Sequence, residues 1–180
     1  MSEIVRGEKV LLCPPSQHDL ARISEWDGDT EINILLGKDS VSEAQYSRWY
    51  AELARGRTSR LFLIRTLGGE LIGDIALAYI NRRTRDAELA LVRIGEKSYW
   101  NMGYGRDAVS ALLSYAFGRL GMKRIYLRVL RSNLAAIRCY ENCDFKKEGV
   151  ARLRDGREVL LMSISLTSLP YGDIIEKCKF

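Results

Sequence analysis

The stretch Tyr99-Trp100-Asn101-Met102-Gly103-Tyr104-Gly105-Arg106-Asp107-Ala108 holds the residues whose order could do chemistry. Gly103 and Gly105 permit backbone angles and close approaches that bulkier residues resist. If a strand enters this stretch and a helix leaves it, the N–H groups of residues 101 to 106 can point into one concavity. The positive end of the helix dipole backs them and Arg106 adds a charge, which makes an anion site in outline. A plain connecting turn would show the same two glycines. Cys139 could act as a nucleophile. The one histidine, His18, lies far away in sequence at a surface helix start, which argues against a Cys–His pair. Cys13, Cys139, Cys143 and Cys178 form no C-x-x-C pair, so free thiols are expected rather than a zinc site.

The surrounding elements are readable from pattern. Lys9 to Cys13 is a strand ended by Pro14 and Pro15, and Ser16 with Asp19 suggests a capped helix to about Trp26. Trp26 to Gly37 is a loop or broken helix. Ser42 and Gln45 form a capping box before a helix whose apolar face carries Tyr46, Trp49, Tyr50 and Leu53. Arg60 to Thr66 and Glu70 to Ile80 are strands joined by a turn at Gly68 and Gly69. A third strand from Asp86 puts Ala87, Leu89 and Leu91 on one face and Glu88, Ala90, Val92 and Ile94 on the other, with Glu88 the polar exception. An antiparallel meander is the simplest arrangement of these three.

Val109, Leu112, Leu113, Ala116, Phe117 and Leu120 make the stripe of an amphipathic helix from Arg106 to Leu120 that Gly121 ends. Arg124 to Leu130 is a strand, Ser132 or Asn133 caps a short helix to about Asn142, and two strands follow, around Phe145 to Leu153 and Glu158 to Leu166. The fold class is α/β (α+β): a mixed sheet, antiparallel in its first half, with a parallel βαβ step across the helix from Arg106.

The chain has 180 residues, enough for one core, and the domain expected is 1–166 with a C-terminal extension at 167–180. No apolar run reaches the roughly 18 residues of a membrane span. The start MSEIVRGEKV lacks the apolar core of a secretory signal, so a cytoplasmic protein is expected. The net charge of +5 comes from basic residues spread along the chain, with no basic stripe interleaved with aromatics. A nucleic-acid module is therefore the reading least favoured.

From about Val10 to Leu166 the chain resembles the GNAT superfamily of acetyltransferases. The family's acetyl-CoA loop reads Arg or Gln, two residues, Gly, one residue, then Gly or Ala, and Trp100 to Gly105 matches all but the first position, where Trp100 stands. Asn133, Tyr140 and Phe145 are in register with a second family block. There Ala136 replaces a frequent Ser, and Asp144 replaces a Gly whose left-handed angle Asp tolerates comparatively well. Ala87-Glu88-Leu89 matches a third block, found in one branch of the family.

The resemblance implies acetyl-CoA as cosubstrate and an amine that attacks it directly. It places the cofactor against the main chain of Leu91, Val92, Arg93 and Ile94, against the loop Trp100, Asn101, Met102, Gly103, Tyr104, Gly105 and Arg106, and against Asn133. Asn133 also reads as a helix N-cap on sequence grounds alone. By the same resemblance Glu88 takes the amine's proton, often through water, and Tyr140 gives one to the departing thiolate; a solvated or paired Glu and a core Tyr are the plain alternatives. The branch looks most like ribosomal-protein N-terminal and spermidine acetyltransferases. The first expected acceptor is a peptide or protein N-terminal α-amine, and the second a polyamine or other small amine. A module that binds CoA without turnover is a further reading. Asp27, Asp29 and Glu31 could attract a cationic amine or simply be solvated. Homodimerisation is suggested by the family and by the apolar residues of the extension.

Overall fold

The computed structural model describes residues 4–38 and 43–168. Within them the chain runs β1 (Val5–Arg6), β2 (Val10–Cys13), α1 (Leu20–Asp27), α2 (Thr30–Leu36), α3 (Glu43–Arg55), β3 (Arg60–Thr66), β4 (Leu71–Asn81) and β5 (Asp86–Ile94). It continues through α4 (Tyr104–Ser114), β6 (Arg124–Leu130), α5 (Leu134–Glu141), β7 (Lys146–Arg152) and β8 (Glu158–Ser165). The capping box at Ser42 and the extension from residue 169 onward lie outside the described residues.

One eight-stranded sheet takes the order β1-β2-β3-β4-β5-β6-β8-β7. Neighbours pair antiparallel except β5 with β6, which are parallel and joined through α4 as the strand–helix–strand pattern requires. β3 and β4 read as near-continuous apolar runs because both faces of the sheet are covered. One face carries the main core with α4 and α5, including Ile75, Leu77, Leu89, Leu112, Ala116 and Ile125. On the other, Leu53 and Leu61 pack with Ala76, Ala78 and Leu91 beneath α3.

Several local features differ from the sequence reading. Ser16 Oγ donates to Asp19 Oδ2 at 2.7 Å and leads into a 3-10 turn before α1. The segment expected as a loop or broken helix contains α2, whose N-cap Asp29 accepts from the Ile32 N–H and whose end is the left-handed Gly37. The α4 stripe continues as a π-turn over Tyr115–Arg119 before Gly121 at φ 67°. Asp144 takes φ 69°, the left-handed angle anticipated where Gly is usual.

The largest difference is in β5. Leu91 stands opposite Ala76 and Leu89 opposite Leu77, so Ala90 is an extra residue without a partner. Such a bulge shifts side-chain alternation by one. Beyond it Leu91 packs under α3 while Val92 and Ile94 pack on the α4 side, the reverse of the alternation expected from an uninterrupted strand.

Candidate functional site

β5 and β6 pair only at Asp86↔Arg124, Ala87↔Ile125 and Glu88↔Tyr126. β6 then pairs with β8 along its whole length, so β5 and β6 diverge after Glu88 and the sheet splits. A cleft of about 620 Å³ fills the split, lined among others by Glu88, Val92, Arg128, Asn133 and Tyr140.

Along the β5 wall the main chain alternates. Gly95 N–H bonds to the Ile72 carbonyl at 2.8 Å, and the Arg93 carbonyl lies against Gly73, so the polar groups of Arg93, and of Leu91 two residues back, face β4. Val92 and Ile94 therefore turn theirs away from β4 toward the split, where the Ile94 carbonyl is already taken by Trp100 Nε1 at 2.7 Å and leaves its N–H. Of the four residues expected to meet a cofactor arm through main-chain groups, only these two offer them. The Arg93 side chain is also committed elsewhere. Only 2% exposed, it holds Asp74 through Nε at 2.8 Å and Nη2 at 2.6 Å, and Asp27 through Nη1 at 2.6 Å.

At the end of β5 sits the glycine loop. Asn101 and Gly103 both take left-handed angles, φ 59° and 85°, and α4 begins directly after. Among the described residues the N–H groups of Asn101, Met102, Gly103, Tyr104, Gly105 and Arg106 have no acceptor, and the first helical N–H with one is that of Asp107, to Gly103. These donors at a helix N-terminus suit phosphates. The space beside Gly105 is bounded by Ile94 and Cys139, which places the loop against the open end of the split.

Asp107 is turned the other way, its carboxylate accepting the N–H groups of Glu8, Lys9 and Val10 at 3.0, 2.8 and 3.0 Å. Gly7 makes room for that carboxylate, since a Cβ there would lie 2.5 Å from it. Lys9 Nζ donates to the Met102 carbonyl at 3.0 Å and sits 5.6 Å from the Tyr104 ring centre.

The side chain of Trp100 is spent on the fold. Its Nε1 donates to the Ile94 carbonyl at 2.7 Å, Lys97 lies over its ring, and it packs against the cluster of Ile23, Trp26 and Ile32. Its main-chain N–H is also engaged, bonding to the Lys97 carbonyl at 3.1 Å. Asn133 is committed in the same way: Oδ1 accepts from the Ala136 N–H at 3.1 Å as the N-cap, and Nδ2 donates to the Leu35 carbonyl at 3.0 Å.

Glu88 and Tyr140 both line the cleft. Glu88 is 5% exposed and accepts from Arg128, Nε at 3.0 Å and Nη2 at 3.3 Å. Arg128 was missed by sequence reasoning, although Arg124, Tyr126 and Arg128 alternate with buried Ile125, Leu127 and Val129 and so share one face. Tyr140 is 8% exposed and stacks edge-on against Phe145 at 5.8 Å between ring centres, and its hydroxyl has no hydrogen bond among the described residues. Burial pushes its ionisation above the usual tyrosine range, with Cys139 and Cys143 adding to the effect.

Cys139 is not an activated thiol: the hydrogen bond with Cys143 and burial both push it up. The acidic loop residues do not reach the cleft. Asp27 pairs with Arg93 and Lys38, and Asp29 and Glu31 both pair with Lys97 at 2.8 Å. At the mouth, Arg157 Nη2 donates to the Gly37 carbonyl at 3.3 Å and ties the β7–β8 turn to the end of α2. Among the described residues no group of three or more His, Cys, Asp or Glu is placed to hold a metal, and no helix is long and apolar enough to cross a membrane.

The family model described as acetyltransferase (GNAT) domain matches residues 9–146. The uncharacterized N-acetyltransferase YoaA of Bacillus subtilis (strain 168) is 36% identical over 157 residues, 84% of this chain and 88% of that protein. The spermidine N(1)-acetyltransferase of Vibrio cholerae is 31% identical over 100 residues, and the alignment takes in 56% of this chain and 57% of that enzyme's length. The crystal structure of spermidine N-acetyltransferase from Vibrio cholerae in complex with CoA and spermine superposes with a TM-score of 0.74 at 24% identity, over 87% of this chain and 95% of that one, a likeness of fold.

Proposed function

The chain belongs to the acetyltransferase (GNAT) domain family, and from that premise we propose that it moves an acetyl group from acetyl-CoA to the primary amine of a small molecule, a polyamine first. The observation that carries this reading is the split between β5 and β6. It opens a cleft onto Val92 and Tyr140, with the free N–H groups of residues 101 to 106 lying beside its Ile94 and Cys139 end. The loop donors suit the pyrophosphate of acetyl-CoA. Val92 and Ile94 suit the amides of its pantetheine arm, which add to a sheet edge as a strand would. Acetyl-CoA supplies the acetyl group as an activated thioester.

The protein's own groups then manage protons. A small amine has a reference pKa near 10.4 and must be neutral to attack. Arg128 disfavours a second cation beside it and so lowers the amine's pKa, while its partner Glu88 is placed to take the proton through water. Tyr140 holds a proton at Oη for the departing thiolate, and its raised ionisation keeps that proton in place at neutral pH. Catalysis on this reading is positioning of two reactants, with no acyl group carried on the protein.

The sequence alone ranked a peptide α-amine first. Two observations favour the small amine. The Vibrio cholerae relative is a spermidine N(1)-acetyltransferase, and the Arg157–Gly37 hydrogen bond links two residues that line the cleft, a contact that an extended chain passing between them would break. The test is thiol release from acetyl-CoA with spermidine or with short peptides bearing free N-termini. Spermidine should exceed the peptides at least tenfold in kcat/KM, and the opposite order would return the reading to the peptide amine.

A further inference from the structure

Away from the loop end of β5, the fold brings together arginines that the sequence scatters. Arg57 and Arg60 come from the α3–β3 connection and the start of β3, and Arg82 from the β4–β5 turn. With Thr58, Tyr79, Ile80, Asn81 and Leu120 they line a second groove of about 530 Å³. Arg83 and Arg85 extend from the same turn. Among the described residues Arg57, Arg82, Arg83 and Arg85 have no carboxylate partner, and Asp86, the acid at this end of the sheet, takes the Thr84 hydroxyl at 2.8 Å. Like charges held together without counter-charges oppose folding, so such a group is informative.

The scaffold beneath them is built. Asn81 Oδ1 accepts the N–H groups of Arg83 and Thr84 at 3.0 and 3.2 Å, which fixes the turn. Ser59 Oγ donates to the Glu52 and Leu53 carbonyls, and the Ile80 N–H bonds to the Thr58 carbonyl at 2.8 Å, locking the two loops side by side. A second bulge in β4 re-aims Tyr79, which takes φ 50° and stands 60% exposed on the groove. Planar guanidinium groups match phosphate geometry, and an exposed aromatic ring beside them offers a stacking platform.

We propose that this groove binds nucleotide phosphates on Arg57, Arg60 and Arg82, with a base stacked on Tyr79. It is a site separate from the cofactor loop, and it stands or falls independently of acetyl transfer. The ligand is a single-stranded nucleic acid segment or a free nucleotide, which share this chemistry.

The test is fluorescence anisotropy of a labelled single-stranded oligonucleotide of about ten residues on the full chain, the groove variants separating this site from the loop's anion site. Binding should weaken with salt at a log–log slope of about −2, as expected for roughly three phosphates on a single strand. Tyr79→Ala should weaken it about tenfold, and Arg57→Glu with Arg82→Glu should abolish it while thermal unfolding stays as in the parent. Arg57→Gln and Arg82→Gln, milder changes on the same surface, should each lower the affinity and flatten the slope. Displacement by a nucleoside triphosphate at similar affinity would identify the free nucleotide as the ligand, and its failure to displace would identify the strand. Absence of binding, binding indifferent to these arginines, or equal competition by polyglutamate would overturn the proposal.

Discussion

Tyr140 enters the cleft as a neutral phenol, because burial and then the neighbouring thiols Cys139 and Cys143 raise its ionisation above the ordinary tyrosine range. A raised value means the proton stays on through neutral pH and is lost only on the alkaline side of that range. The kcat of the parent enzyme should therefore show no alkaline fall from this group below about pH 10. Tyr140→Phe keeps the ring and its packing on Phe145 but removes the donor, so kcat should drop by about 10² to 10³ with the melting temperature little changed. Steady-state rates from pH 6 to 10 on both proteins check this. Unchanged kcat in the phenylalanine variant would reduce Tyr140 to core. The glycine loop was nameable from residue type and spacing, and Glu88 and Tyr140 from the resemblance to the acetyltransferase family. Arg128 was not, because its partner lies on another strand and only the alternation of β6 hinted that it shares a face with Tyr126.

Among the elements, α4 is fixed at both ends by different means. Its N-terminus carries the free donors of the loop, and the same turn anchors the N-terminal hairpin through Asp107. Three N–H groups converge on that carboxylate from a sequence distance of nearly a hundred residues, so no local pattern announces them. Asp107→Ala would leave all three donors without it and should lower unfolding free energy by about 1–3 kcal/mol, while Asp107→Asn, which keeps one oxygen, should recover part of the loss. Denaturant titration measures both, and equal stability of the alanine variant would show that water replaces the contact without cost. The strand–helix–strand step through α4 was readable from apolar periodicity. The bulge at Ala90 was not, since an inserted alanine looks like any strand residue. Its effect, exchanging the faces of Leu91 to Ile94, decided which main-chain groups reach the cleft.

At the scale of the whole molecule, the chain order of elements apart from β1 and α2 followed from pattern, but charge placement did not. Arginines separated by some twenty residues meet on one end of the sheet, and acids that looked free in Asp27, Asp29 and Glu31 are consumed by Arg93, Lys38 and Lys97. Both outcomes depend on which loops the sheet order makes neighbours, a fact of topology rather than composition. Cofactor binding as proposed is likewise a property of the assembled fold, since that reading needs the split sheet and the loop together. Acetyl-CoA at about 100 times its dissociation constant should add roughly 2.7 kcal/mol to unfolding free energy. Gly103 at φ 85° is where that cradle is most exacting, because a side chain there resists the left-handed angle at a cost of about 1 kcal/mol. Gly103→Ala should then fold with a modest loss of stability yet lose most of the acetyl-CoA shift, as the loop donors swing out of register. Thermal unfolding of both proteins with and without acetyl-CoA separates the possibilities. A full shift in the alanine variant would mean that the split sheet alone holds the cofactor, and no shift in the parent would mean that the loop is only a turn.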